Sequence, residues 1–211
     1  MLQFFRRLWR RFSLKAAPPP LQPEIKDSWN RATVVLAEIA GFVAIGPAVH
    51  EPFRHPDYLN LVRAALRRHG VDTAITSGYA TICAFSAASP DPAIRALDAA
   101  FEIRRLMTEL RQSTLQSGLK AGSSLQAKCA IVTGQIYVGP VGSEDNVIPA
   151  AVGPGLHLAN RMLCQCGKAG VSILMCAKTA EQVSWKYSAR PVAIDAVSGG
   201  AEVTVFEPVV R

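Results

Sequence analysis

Apolar residues come in two rhythms along this chain: short unbroken runs, and stripes spaced three and four apart. Thr33 to Ala37 is a run of strand length, rich in β-branched residues, and it ends in one acid, Glu38. It predicts a buried strand over Thr33–Glu38. The segment 47–56 is broken by proline and reads as a loop or an interrupted helix. Asp57–His69 has helical spacing, with Tyr58, Leu61, Val62, Ala65 and Leu66 on one face and Gly70 as its stop; His69 is expected to be a solvated helix end. Val71–Thr76 and Ala80–Phe85 are two short strands, and Gly78 between them predicts a tight hairpin. A long helix follows from Pro92, with Ala93, Ala96, Leu97, Ala100, Phe101, Ile103, Leu106 and Leu110 as its apolar stripe. Residues 118–124 read as a loop.

The second half continues in the same way. Leu125–Val132 and Gln135–Val141 read as a hairpin pair turning at Thr133-Gly134. Asn146–Val152 is an apolar stretch, and Leu156–Cys166 is a helix stopped by Gly167. Val171–Met175 is a strand, Ala177–Val183 a short helix, and Val192–Ile194 and Val203–Pro208 are closing strands. Helices interleaved with antiparallel hairpins make an α+β order, not the strict alternation of a doubly wound sheet.

The first 27 residues differ from the rest. Residues 1–15 fit a basic amphipathic helix, with Leu2, Phe4, Phe5, Leu8, Trp9 and Phe12 on one arc and Arg6, Arg7, Arg10 and Arg11 on the other. Aromatics opposite arginines suit an anionic membrane interface, and they equally suit a partner protein. Residues 16–27 are a proline-rich linker, so the globular domain is expected over 28–211. The formal charge is +7, and residues 1–20 hold five cations and no acid, which leaves only +2 for the remainder. The basic character belongs to the tail, and no nucleic-acid partner is implied. No run has the length of a membrane span. Five cysteines without framework spacing read as reduced thiols of a cytoplasmic protein, one that the tail makes either free or peripheral on the membrane. Cys164 and Cys166 are one residue apart and lack a second pair, which argues against zinc.

Candidate chemistry starts at Glu38. A carboxylate at the end of a buried strand can hold a hard cation, and the turn at Gly41 can aim backbone N–H groups at a phosphate.

Three blocks in order resemble the catalytic domain of class III adenylate and guanylate cyclases. They are Val35-Leu-Ala-Glu-Ile-Ala-Gly-Phe42, Gly78-Tyr-Ala-Thr-Ile-Cys-Ala-Phe85, and the stretch from Ile131-Val-Thr-Gly134 through Val138-Gly-Pro-Val-Gly-Ser143 to Val152-Gly-Pro-Gly-Leu-His-Leu-Ala-Asn-Arg161. The resemblance covers about residues 32 to 209. It implies a ferredoxin-like βαββαβ core with an added strand–helix–strand. It also implies a head-to-tail homodimer, or a heterodimer with another cyclase-like chain, that buries the sheet face left free by the helices. Two aspartates of one subunit would hold two Mg or Mn ions. The other subunit would supply an Asn, an Arg and two base-reading residues.

Carried over by position, Glu38 with Ile39 takes the first metal place, and Tyr79 stands where the second aspartate belongs. A phenol with an ordinary pKa near 10 does not replace a carboxylate. Gly41, Phe42 and Gly78 take nucleotide-binding places. Ile75 and Ala150 replace the two base readers, Pro154 an aspartate, and His157 the ribose-orienting Asn. Arg161 matches the charge-stabilising Arg. The resemblance therefore implies a pseudo-cyclase with weak or no homodimeric activity. Two alternatives stand beside it: an active nucleotide cyclase, as a homodimer or only as a heterodimer, and a non-catalytic dimerisation or ligand-binding module. Mg or Mn would be a cofactor only if activity or nucleotide binding survives.

Overall fold

The computed structural model of the protein describes residues 29–40, 55–77, 80–116, 125–143, 146–194 and 203–209. The expected helix 1–15 and linker 16–27 lie outside the described residues, as do Gly41, Phe42, Gly78 and Tyr79. The β-branched run at 33–37 sits inside a longer strand, β1 (Trp29–Ala40). Both of its edges are paired antiparallel, with β3 (Ala80–Ser86) on one side and β4 (Gln126–Ser143) on the other. A strand enclosed in this way is buried on both faces, which is why its sequence is a continuous apolar run rather than an alternating one.

β2 (Thr73–Ser77) pairs with β3, and Ser77 stands opposite Ala80, which leaves two residues for the predicted hairpin connection. Helix α1 (His55–Arg68) joins β1 to β2, and helix α2 (Pro92–Gln116) joins β3 to β4. These six elements, with strand order β2-β3-β1-β4, form the ferredoxin-like core expected from the sequence. The chain then adds β5 (Asn146–Val152), α3 (Pro154–Ala169), β6 (Ile173–Cys176), α4 (Ala177–Val183), β7 (Ser188–Ala193) and β8 (Thr204–Val209). The full order is β2-β3-β1-β4-β6-β8-β7, with β5 paired to β4. β4 and β6 run parallel, and the other pairs are antiparallel. Outermost β7 has Pro191 in its middle and an ion pair from Arg190 to Glu207 of β8.

Four local expectations are corrected. Thr133-Gly134 is not a turn, because β4 runs unbroken through it. Thr133 lies opposite Thr33 in the ladder, and their hydroxyls are 3.0 Å apart. The Thr133 hydroxyl also meets Thr179 Oγ1 of α4 at 3.0 Å, and Thr179 in turn meets Cys176 Sγ at 3.2 Å. Sheet pairing and this buried hydroxyl chain override the local turn signal. The hairpin is instead β4–β5, because the apolar stretch 146–152 is a strand. Helix α3 does not stop at Gly167. It ends at Gly170, which has φ 68°, and the N–H of Val171 bonds back to the Cys166 carbonyl at 3.0 Å. His69 is not a solvated end, since its Nε2 lies 2.7 Å from Glu102 of α2, which Arg68 also reaches.

The sheet separates two cores. On the first face α1, α2 and α4 cover Val35, Ala37, Ile39, Cys83, Phe85, Cys129 and Ile131. Alanines 93, 96, 99 and 100 of α2 are fully or almost fully buried. Small side chains that form helix well let a 25-residue helix lie close to the strands. The expectation that the other face is bare and reserved for a partner is also corrected. Helix α3 packs there, with Ala159, Met162, Leu163 and Cys166 against Leu36, Ala130, Val132 and Leu174. Its first turn comes closest. A Cβ on Gly155 would stand 2.9 Å from Ile136 Cδ1, so only glycine fits without displacing the β4 side chains.

Candidate active site

Strand register sorts the predicted site residues by face. Glu38 projects to the α3 side together with Val34 and Leu36. Directly across the ladders its row contains Ala80 on β3 and Lys128 on β4, and Ser77 stands beyond Ala80. Glu38 is half-buried, and the neighbouring Ile39 turns into the opposite core. Lys128 lies along the C-terminal end of α3. A Cβ on Gly167 would be 3.5 Å from its Nζ, an ordinary van der Waals contact, so the ammonium lies beside the last turns of the helix. The buried thiol of Cys166 feels both charges. Burial pushes its thiol up to about 11, the Lys128 ammonium pulls it down, and the Glu38 carboxylate pushes it up. The sequence pattern did not single out Lys128. Its signal was there, as the one charge inside the apolar run 125–132.

The expected base-reading positions, Ile75 and Ala150, are apolar and part-buried. Ile75 faces Ile82, in the row that continues through Leu36 and Ala130 on the α3 side. Ala150 pairs with Gly139, and alternation along β4 and β5 puts it on the other face of that ribbon, beside exposed Val141, Ile148 and Val152.

His157 and Arg161 are four residues apart on α3, hence on one side of the helix. That side points away from Leu156, Ala159, Met162, Leu163 and Cys166, which anchor α3 to the sheet. His157 is exposed. Arg161 is half-buried, and its Nε and Nη2 are shielded from solvent with no hydrogen-bond partner among the described residues. A guanidinium withdrawn from water and unpaired is poised for an anion. Pro154 takes the first position of α3, where its missing N–H costs nothing. A single chain does not bring Glu38 and Arg161 together, because one lies under the C-terminal end of α3 and the other on its outer side.

No family model matches the sequence, and neither does any curated protein. Solved structures do match. The adenylyl cyclase CyaB from P. aeruginosa superposes with a TM-score of 0.74 at 20% identity, over 89% of this chain and 97% of that one. The guanylate cyclase domain of RhGC from Catenaria anguillulae, solved with GTP, gives 0.65 at 20% identity over 87% and 98%. A dimeric guanylyl cyclase domain of the RhoGC fusion protein from Blastocladiella emersonii gives 0.61 at 20% over 86% and 96%. The fold is that of a class III nucleotide cyclase domain. The likeness extends over nearly the whole of each partner, so the added β5 to β8 elements belong to the cyclase fold and are not a separate unit.

The cyclase fold implies a pair of divalent ions, and the donors among the described residues do not fit them. Among the described residues no group of three or more His, Cys, Asp or Glu converges. The row at the expected first metal position supplies one carboxylate, Glu38, with an ammonium across the ladder from it. The expected second position is a tyrosine in the sequence. Hard cations need several oxygen donors, and a neighbouring fixed positive charge opposes their binding.

Proposed function

We propose that this chain is a pseudo-cyclase: a class III cyclase-like domain in cyclic-nucleotide signalling with little or no cyclase activity as a homodimer. The observation that carries this is the composition of the row Ser77, Ala80, Glu38, Lys128, where one carboxylate faces one ammonium. In-line attack on a triphosphate depends on cationic stabilisation of developing charge at the phosphate, and losing even one such contact in an enzyme costs about 10²–10³ in rate. Ile75 and Ala150 also offer a nucleobase no hydrogen bonds, so selection of a base by pairing is lost with the metal.

Arg161 supports a second reading. Its unpaired guanidinium still suits a phosphate, and on the outer side of α3 it would serve a site completed by another chain. In that heterodimer the partner supplies both metal carboxylates, and this chain supplies Arg161 and His157. Gly41, Phe42, Gly78 and Tyr79 would meet the nucleotide in either reading. Residues 1–15 would bring the domain to a membrane surface or a partner protein. Among the described residues no helix is long and apolar enough to cross a membrane.

The test is titration of the full chain with ATP and GTP, each with and without Mn²⁺, followed by a cyclic-product assay on the same samples. Absence of product is expected. Metal-dependent binding with cyclic product from the homodimer would overturn the pseudo-cyclase reading.

A further inference from the structure

On the far side of the sheet from Glu38, a recess of about 510 Å³ opens along the outer face of α2. Phe101, Arg104, Arg105, Thr108, Glu109 and Tyr187 line it. Its floor is aromatic: the rings of Phe101 and Tyr187 are 5.3 Å apart between centroids and tilted by 47°. Tyr187 is fixed in place. Its hydroxyl donates to Asp98, which also accepts from the Lys186 ammonium at 2.8 Å.

The charges around this floor are unevenly spent. Asp98 is taken by Lys186 and Tyr187, Glu102 by Arg68 and His69, and Glu109 by Arg105. Arg104 has no carboxylate partner among the described residues. Its guanidinium rests over the Phe101 ring at 4.8 Å, which leaves the N–H edge of the fork open. Two arginines and one glutamate in the lining give the recess a net charge of +1. The Thr108 hydroxyl proton is already committed to the Arg104 carbonyl at 2.9 Å.

We propose that this recess binds a small aromatic carboxylate. The ligand's ring packs against Phe101 and Tyr187, in the offset or edge-on geometry that aromatic groups prefer, and its carboxylate takes the free Arg104 fork in a charge-assisted pair. The apolar floor by itself accepts any ring. The uncompensated arginine makes the choice, favouring acids over amides and rejecting amines. The volume lies within the ordinary range for small-molecule sites. This inference does not rest on the pseudo-cyclase reading, since the recess is built from α2 and the turn after α4, on the face opposite Glu38.

The experiment uses the full chain and three probes in ligand-observed NMR titrations: phenylacetate, phenylacetamide and acetate. They present ring with charge, ring without charge, and charge without ring. Phenylacetate is expected to saturate in the millimolar range usual for so small a ligand. Each of the other two should bind at least about tenfold more weakly. Arg104→Gln should weaken phenylacetate by about tenfold or more, the worth of one hydrogen bond to a charged group. Arg111→Gln, an exposed arginine two turns along α2, should leave it unchanged. Far-ultraviolet dichroism checks that each variant is folded, and Arg104→Lys, which keeps the charge without the fork, stands in if Arg104→Gln is not. The proposal is overturned by equal binding of the amide, by no saturation in the millimolar range, or by wild-type binding in a folded Arg104 variant.

Discussion

Gly153 sets the angle at which α3, with His157 and Arg161, leaves the sheet, and Gly153→Ala is the sharpest test of that arrangement. Its backbone has φ 148° and ψ 166°, a region that residues with a Cβ avoid. Forcing alanine there costs about 1–3 kcal/mol. The added Cβ would also stand 2.9 Å from the Gln135 carbonyl oxygen and 3.3 Å from Ile136 Cα, both backbone atoms of a paired strand that cannot swing aside. Together these suggest a loss of about 3 kcal/mol, or a fall of about 6–12 °C in melting temperature for a domain of this size. Gly170→Ala is the matched control. Its φ of 68° carries a conformational cost of about 1–2 kcal/mol, but nothing lies within 4 Å of the new Cβ. Thermal and urea melts followed by dichroism would compare the two. If Gly153→Ala melts no lower than Gly170→Ala, the close approach of the chain at Gly153 to β4 is not what holds the start of α3, and the reasoning fails.

Four further outcomes are expected. Thr179→Val, which removes the middle of the Thr33–Thr133–Thr179–Cys176 chain, should destabilise by about 1–3 kcal/mol in a urea melt, because it strands buried partners. Alkylation at pH 8 with mass detection should label Cys164 alone in the native protein and all five cysteines in urea. Cys83, Cys129, Cys166 and Cys176 are buried, and burial pushes Cys129 up to about 12 and Cys166 up to about 11. Burial and the bond to Asp98 both raise Tyr187 above its ordinary value near 10, so its contribution to stability is complete below that value and fades as pH rises through the raised one; Tyr187→Phe should flatten the alkaline limb of a stability–pH curve. The double variant Glu38→Asp with Tyr79→Asp should gain Mn²⁺-dependent ATP or GTP binding at least about tenfold tighter than the parent chain, measured by titration; no gain would argue that more than the carboxylates is missing.

The sequence made the core order legible because β1, α1, α2 and the β2–β3 hairpin each have a strong local signature. Val34 to Leu36 could only be an enclosed strand, and the alanines of α2 could only be a close-packed helix. It misled at Thr133-Gly134, where a turn-forming pair sits inside an 18-residue strand. Pairing with Ala32 and Thr33, a hundred residues away, decides the conformation there, and no window of sequence contains that partner. The end of α3 was misplaced for a related reason. Gly167 lies inside the helix and Gly170 caps it in the left-handed conformation, and the two glycines have the same local appearance in sequence. At the proposed site, Glu38, Ile75, Ala150 and Arg161 are candidates by their order along the chain. The opposition of Glu38 and Lys128 was not legible there, since it arises only from the β1–β4 register. Neither was the recess at Phe101, whose other wall comes from Tyr187, 86 positions further on.

The outer edge formed by β7 has one further consequence. A sheet with open rims can in principle recruit more strands and grow without limit, the first step toward fibres. Pro191 offers no N–H to an incoming strand, and Arg190 with Glu207 places a charged pair beside it. The rim is thereby a poor template, and strand addition to the folded protein would sooner begin at the five-residue strand β2 or along β5, which pairs with β4 alone and carries exposed Ile148 and Val152. At this rim, resistance to strand addition rests on one ring-closed residue that takes no part in either proposed site.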